Sequence, residues 1–327
     1  METISKKNKY SLSIIIPYKN TANYLDRLLD SIFSEDFYDV QTIVIDDNSK
    51  KNVITLENIK KKYIDKVIFL KQDTNKKGAG AARNIGMRYA TGDYLLFADA
   101  DDFFVKGWYE IVKRFFDSDY DIVFFEPTSS SELKQGISTR HIRYKRLVDS
   151  YINNLNSENE DKLRYEFVVP WSKLIRRELV YTNNINFDEV LYANDNMFSV
   201  KCGYYANNIY ASNSIIYNVV ESADSLTTNK SLDAFYKREI VRSERYNYVK
   251  RAIGWKRFSK LDISVLGFSS MLKITKSWIA RDVKFADVKR LYLLYKSKNV
   301  DVLPNIEYIK RNFKRLFRYF VRIDKKY

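Results

Sequence analysis

The sequence predicts an α/β fold, a mostly parallel sheet with helices on both faces, followed by a basic helical C-terminal region. Short, near-continuous apolar runs alternate with helix-patterned stretches as far as residue 126, which is the rhythm of βαβ units. Several of these runs end in carboxylates or amides, and open parallel sheets bind ligands at the carboxyl ends of their strands. Charge also divides the chain: residues 231–327 hold 25 Lys and Arg against 9 Asp and Glu, whereas residues 1–230 hold 31 against 32. A domain over 1–230 is therefore expected, with a basic, mainly helical region over 231–327.

Each element follows from its pattern. Ser11–Tyr18 (SLSIIIPY) reads as a buried strand, and Tyr24–Phe33 as a helix with Leu25, Leu28, Leu29 and Ile32 on one face. Strand Gln41–Asp46, a polar helix near Val53–Lys62 and strand Lys66–Lys71 come next. A helix near Gly80–Ala90 precedes strand Asp93–Ala98, and a helix near Lys106–Phe116 precedes strand Tyr120–Glu126. From Thr128 to Arg164 the periodicity weakens, and SSSELKQG reads as a loop. Beyond it, Pro170–Leu179 (PWSKLIRREL) reads as a helix opened by proline, Asn194–Ala206 as another helix, and Asn208–Val220 as a strand.

Composition excludes several classes. With 15 % aromatic residues in 327, the chain is globular rather than disordered. The lone Cys202 excludes an internal disulfide and a cysteine zinc cluster and fits a reducing compartment. The N-terminal apolar run is too short for a signal peptide, and no window approaches the roughly 18 apolar residues that cross a bilayer. A cytoplasmic location is the expectation.

The candidate chemistry sits at three strand ends. In LLFADADDFF, Asp99 and Asp101 are spaced so that both carboxylates can point one way, a hard oxygen site for Mg²⁺ or Mn²⁺. The same letters describe a solvated acidic turn, and Asp102 stands where it could cap a helix. In VIDDNS, Asp46 or Asp47 could accept from a nucleobase N–H or a ribose hydroxyl, or the pair could simply form an Asx-turn. KKGAGAARN lacks the third glycine of a dinucleotide loop; Arg83 stands there instead, suited to a phosphate if it faces the site. His141, the only histidine, lies in the weakly patterned segment, which makes a histidine-based site improbable.

Taken in order and spacing, IIIPYKN, VIDDNS, GAGAARNIG, ATGDYLLFADADD and NDNMF resemble the family 2 inverting glycosyltransferases of GT-A fold, over residues 11–225. PWSKLIRREL and ADSLT are similar to segments of bacterial capsule and lipopolysaccharide members. The resemblance implies that Pro17, Tyr18 and Asn20 wrap the nucleotide, that Asp47 recognises its base, and that Arg83 lies near the donor. It implies that Asp99 and Ala100 meet the donor, that Asp101 with Asp99 holds Mg²⁺ or Mn²⁺, and that Asp195 is the base that deprotonates the acceptor hydroxyl. Asn194 replaces the acidic residue that commonly precedes the base, and Trp171, Lys173 and Ser225 fall in segments that could line a pocket. The implied reaction moves one sugar from a nucleotide-sugar, a UDP-sugar in expectation, to a surface-polysaccharide or lipid-linked glycan. Neither the Gln-x-x-Arg-Trp motif nor the spanning helices of processive members occur.

The last segment adds a further expectation. Ile309, Phe313, Leu316 and Phe320 recur at helical spacing among Lys310, Arg311, Lys314, Arg315, Arg318 and Arg322, a basic amphipathic helix suited to an anionic membrane surface. The alternative is a helix that packs its aromatics on its own domain. No nucleic-acid motif accompanies the charge. Peripheral attachment at the inner face of the cytoplasmic membrane is expected. Two rival activities stand against the transferase: a nucleotidyltransferase, which would place a glycine-rich loop with arginine after the first strand, and a non-catalytic membrane- or RNA-binding protein.

Overall fold

The computed structural model describes residues 10–263 apart from 73, 74, 76, 77, 133–135, 137 and 222–230, together with 293 and 297. The chain divides into two compact units, Met1–Asn229 and Lys230–Tyr327.

The first unit is built on one eight-stranded sheet. Its strands are β1 (Leu12–Tyr18), β2 (Val40–Asp46), β3 (Val67–Lys71), β4 (Tyr94–Phe97), β5 (Phe103–Phe104), β6 (Ile122–Ser131), β7 (Lys173–Arg176) and β8 (Ile209–Glu221). They lie in the order β3-β2-β1-β4-β7-β6-β8-β5. The first four are mutually parallel; β7 runs antiparallel to both β4 and β6, β8 is parallel to β6, and β5 is antiparallel to β8. The sheet is thus parallel where the motifs lie and mixed beyond.

All seven residues of β1 are buried, because helices cover both faces and leave no solvent side for polar alternation. The helices are α1 (Ala22–Ile32), α2 (Val53–Lys62), α3 (Ala79–Tyr89), α4 (Trp108–Lys113), α5 (Ile142–Asn153), α6 (Ser157–Glu166), α7 (Arg177–Thr182) and α8 (Asn196–Tyr205). Leu25, Leu28, Leu29 and Ile32 of α1 are buried as their spacing predicts. Helix α3 lies close on the sheet because Gly86 has no side chain; a Cβ there would meet Ile15 Cγ2 at 2.5 Å and Ile45 Cδ1 at 2.8 Å.

Two expectations fail in the middle of the chain. Pro170–Leu179 is not one helix: Lys173–Arg176 forms β7, and the helix begins only at Arg177. Backbone pairing with β4 and β6 on either side outweighs the helical preference of KLIRREL, a tertiary effect that periodicity cannot report. The weakly patterned stretch contains α5 and α6, the latter capped by Asn156 accepting from Asn159 N at 2.8 Å. The helix expected over Lys106–Phe116 is also shorter, at Trp108–Lys113.

In the second unit, α9 (Leu232–Phe258) opens with Ser231 accepting from Ala234 N at 3.2 Å and is interrupted at Gly254, whose φ is 75°. Ser225 and the basic helix expected around Ile309–Phe320 lie outside the described residues. Among the described residues, no helix is long and apolar enough to cross a membrane.

Candidate active site

The carboxyl ends of β1, β2 and β4 supply one wall of the site. Pro17 and Tyr18 close β1, both buried. Asn20, in the left-handed region at φ 59°, accepts from Lys50 N at 2.8 Å and Lys51 N at 3.0 Å, while its own N–H donates to Ser49 Oγ at 2.9 Å. Its side chain shapes the loop after β2 rather than standing free.

In that loop the two aspartates divide their work. Asp46 accepts from Ser49 N at 2.9 Å and forms the Asx-turn. Asp47, 4 % exposed, accepts from Gln72 Nε2 at 2.8 Å, Lys19 Nζ at 2.9 Å and Gly78 N at 3.1 Å. Three donors from three segments fix one carboxylate at the end of β2. Gln72, its buried partner, carries no signal in the sequence.

The loop after β4 separates its three carboxylates. Asp102 does not cap a helix; it is buried and accepts from Tyr217 Oη at 2.9 Å and Val220 N at 2.7 Å. Burial, Asp101 and Asp99 push its carboxyl well above the usual carboxylate range. The same Tyr217 Oη accepts from Asp99 N at 2.8 Å, so one hydroxyl on β8 ties both ends of the loop. Arg27 of α1 adds a bond from Nη2 to the Asp101 carbonyl at 2.6 Å. Asp99 and Asp101 remain for chemistry, with Ala100 buried between them. Asp101 is pushed up to about 6, first by burial and then by Asp99.

Arg83 of α3 joins this wall to the next. Buried at 4 % exposure, it donates from Nη2 to Asp99 Oδ1 at 2.5 Å and from Nη1 to Asn194 Oδ1 at 2.8 Å. Its guanidinium also lies 5.2 Å from the Phe187 ring centre. Phe187 and Phe198 stack at 3.8 Å, and both pack edge-on against Phe97 at the end of β4, at 5.1 and 5.3 Å. This aromatic cluster sets the start of α8 beside the acidic loop. Gly80 permits the closeness, since a Cβ there would lie 2.2 Å from the Asp188 carbonyl oxygen and 3.0 Å from Asn194 Cβ.

Asp195 stands at the head of α8, yet its side chain makes no capping hydrogen bond. Burial of the carboxyl raises it to about 6; Arg83 pulls it down, Asp99 pushes it up, and Lys173 pulls it down again. A carboxylate raised this far still ionises at neutral pH and is a stronger proton acceptor than a free aspartate. The structure thus brings Arg83, Asp99, Asn194 and Asp195 together. Trp171 is buried among Tyr144, Phe167 and Tyr217, with ring centres at 5.1, 6.2 and 6.0 Å, and serves packing. Lys173 is also buried, against Phe124 and Phe167, rather than lining an open pocket.

Over nearly its whole length the chain is 26 % identical to the cholesterol galactosyltransferase of Borreliella burgdorferi, in a match covering 92 % of this chain and 84 % of the relative. It is 28 % identical to the poly(ribitol-phosphate) beta-N-acetylglucosaminyltransferase TarS of Staphylococcus aureus over 60 % of this chain, but spans only 33 % of that protein's length. The crystal structure of TarS 1–349 in complex with UDP-GlcNAc superposes with a TM-score of 0.57 at 23 % identity, covering 72 % of this chain and 66 % of that one, which identifies the fold as GT-A. The model of the family described as glycosyl transferase family 2 matches residues 13–182, from β1 through α7, and the chain belongs to that family.

Proposed function

We propose that the protein transfers a single sugar from a UDP-sugar to a hydroxyl of a surface-polysaccharide or lipid-linked acceptor, with inversion at the anomeric carbon. The observation that carries this reading is Asp195, an uncapping carboxyl at a helix start, raised by burial and set beside the Arg83–Asp99 pair. An acceptor hydroxyl must lose its proton as its oxygen attacks the sugar, and Asp195 is the group that takes it. Arg83, oriented by Asn194 and Asp99, turns its charge toward the diphosphate. Asp47, its carboxylate fixed by Lys19 and Gln72, receives the N–H of the base.

A divalent cation fits the acidic loop. Burial first, and then the neighbouring Asp99, raise Asp101, and a dication between the two carboxylates would offset both. Among the described residues no three acidic, histidine or cysteine groups form a closed metal cluster. Asp99 and Asp101 would hold Mg²⁺ or Mn²⁺, hard cations that take carboxylate oxygens. When bound, the ion would offset charge on the leaving diphosphate.

The named acceptors of the two relatives are a sterol and a ribitol-phosphate polymer. The sterol-directed relative matches 92 % of this chain, and the last 97 residues of this chain carry the excess of 25 basic over 9 acidic groups. Both support an acceptor presented at an anionic membrane, at its cytoplasmic face. The test is a thermal-shift screen of nucleotide-sugars with Mn²⁺, followed by transfer assays with the stabilising donor. Asp195→Asn is expected to bind that donor normally and to lose transfer by about 10²–10⁴-fold. Unchanged transfer would remove Asp195 from the mechanism, and release of pyrophosphate from a nucleoside triphosphate would favour the nucleotidyltransferase.

A further inference from the structure

From Asp99 to Asp102 the chain makes a tight turn, closed by Asp102 N donating to the Asp99 carbonyl at 3.1 Å. Three carboxylates stand within those four residues, and like charges so close favour an open loop unless something outside restrains it. Two side chains distant in sequence supply that restraint, one from β8 and one from α1.

Tyr217 of β8 is fully buried, and its ring is fixed on two sides. It stacks on Trp171 at 6.0 Å with 19° between the planes, and meets Phe104 edge-on at 5.3 Å and 78°. Phe104 is also its partner in the β5–β8 register. A hydroxyl on a ring held in this way sits at one point. There it accepts from Asp99 N at 2.8 Å and donates to Asp102 Oδ2 at 2.9 Å, so both ends of the turn meet on one oxygen. The second Asp102 oxygen accepts from Val220 N at 2.7 Å. With both oxygens engaged and the residue 2 % exposed, Asp102 serves as the handle by which β8 grips the loop. On the other side Arg27 of α1 donates from Nη2 to the Asp101 carbonyl at 2.6 Å and from Nη1 to Glu132 Oε1 at 2.9 Å. It therefore holds the middle of the turn by the backbone and not by the carboxyl.

We propose that Tyr217 and Arg27 are positioning residues that preset the Asp99–Asp102 turn to receive the divalent cation of the donor complex. The inference rests on the reading of Asp99 and Asp101 as the carboxylates that hold this cation. A loop that must first be ordered spends part of the binding free energy on its own shape, whereas a turn tied at both ends and at its centre does not. Neither tether touches the cation, so each acts on its affinity through the loop alone.

The experiment measures Mn²⁺ binding to the full chain in the presence of UDP, from the free-ion electron paramagnetic resonance signal, beside a thermal melt of each variant. Tyr217→Phe keeps the ring between Trp171 and Phe104 and removes only the hydroxyl; its Kd for Mn²⁺ is expected to rise about 10–100-fold, the range for groups that orient metal ligands. Tyr94→Phe controls for lost stability alone, because that buried tyrosine opens β4 and donates to the Ser118 carbonyl at 3.1 Å, away from the acidic loop. Its Kd is expected to stay within about twofold of native. Arg27→Met carries the test to a half-buried side chain outside the Tyr217 cluster. Removing a cation from beside the loop would by charge alone tighten Mn²⁺ binding, so a Kd raised at least about threefold identifies a tether. Native Kd in Tyr217→Phe, or an equal rise in Tyr94→Phe, overturns the role of Tyr217; an unchanged or lower Kd in Arg27→Met overturns that of Arg27. Asp101→Asn separates these outcomes from the reading beneath them. If it binds Mn²⁺ as the native protein does, or the native protein binds none, the cation reading of the loop falls and the tethers' role falls with it.

Discussion

Replacing Gly80 with alanine tests whether the α3 contact sets the position of the base. The new Cβ would stand 2.2 Å from the Asp188 carbonyl oxygen, and ordinary contact begins at 3.4 Å, so the gap must open by about 1.2 Å. The sheet blocks one escape, because Gly86 already holds α3 against Ile15 and Ile45. The segment from Asp188 to Asn194 must therefore give way, and it moves as a piece, since Asp188 N donates to the Asn194 carbonyl at 3.1 Å. A shift of that size carries Asn194 out of hydrogen-bonding range of Arg83, now 2.8 Å away, and moves Asp195 with it. Alanine gains about 1 kcal/mol of helix propensity over glycine, and overpacking costs about 1–3 kcal/mol, leaving a net loss of about 1 kcal/mol. Turnover is far more sensitive, because a misplacement of about 1 Å can cost on the order of 100-fold. Urea unfolding and single-sugar transfer, measured on the same preparation, give the two numbers. Native turnover in Gly80→Ala would refute the claim that this contact positions Asp195. Gly86→Ala, on the sheet side of the helix, should lose comparable stability with a smaller loss of rate.

The pH profile should fall on its acid side near pH 6, by about tenfold per unit below it, as Asp195 takes up its proton. The same raised pKa has the opposite sign for folding: its stabilising contribution is present below the unfolded value near 4 and is lost as pH rises through about 6, so Asp195→Asn should melt no lower than the native protein at pH 8. Tyr217→Phe removes the hydroxyl shared by Asp99 N and Asp102, and should cost about 1–3 kcal/mol in a denaturant melt for the polar groups left without partners. Chelation with EDTA should abolish transfer, Mn²⁺ should restore it, and Asp101→Asn should raise the Mn²⁺ concentration needed; transfer that persists in EDTA would exclude the metal.

Local pattern was enough to place the strand ends where the candidate residues lie. Buried parallel strands announce themselves as unbroken apolar runs, and Asp47, Arg83, Asp99 and Asp101 stand at the ends of such runs or just inside the next helix. What escaped depends on partners distant in the chain. Lys173–Arg176 has a helical composition and becomes a strand only because β4 and β6 flank it. Asp102 has the spacing of a cap and is instead held by Tyr217 and Val220, residues whose own segment gives no hint of the pairing. The burial of Trp171 and Lys173 was equally hidden, because their motif resembles a pocket lining while the aromatic ring of Phe124, Tyr144 and Phe167 encloses them. Gly80 was legible as a glycine but not as a contact, since the Asp188 carbonyl that excludes a side chain arrives from another part of the chain.

The insertion of β7 between β4 and β6 also bears on how the chain folds as it is made. Strand β4 gains one neighbour from β1 early, but its other edge stays open until Lys173–Arg176 has emerged. Until then the unpaired edge beside Tyr94 and Leu95 is available to any passing strand. The acidic loop that follows β4 waits longer still, for Tyr217 on β8. Such late, non-local closure makes for slow folding and an aggregation-prone nascent chain. The carboxylates of the acidic loop therefore reach their final positions only after β8 has emerged, so a fragment ending before Tyr217 should leave Asp99 and Asp102 without the hydroxyl that ties them.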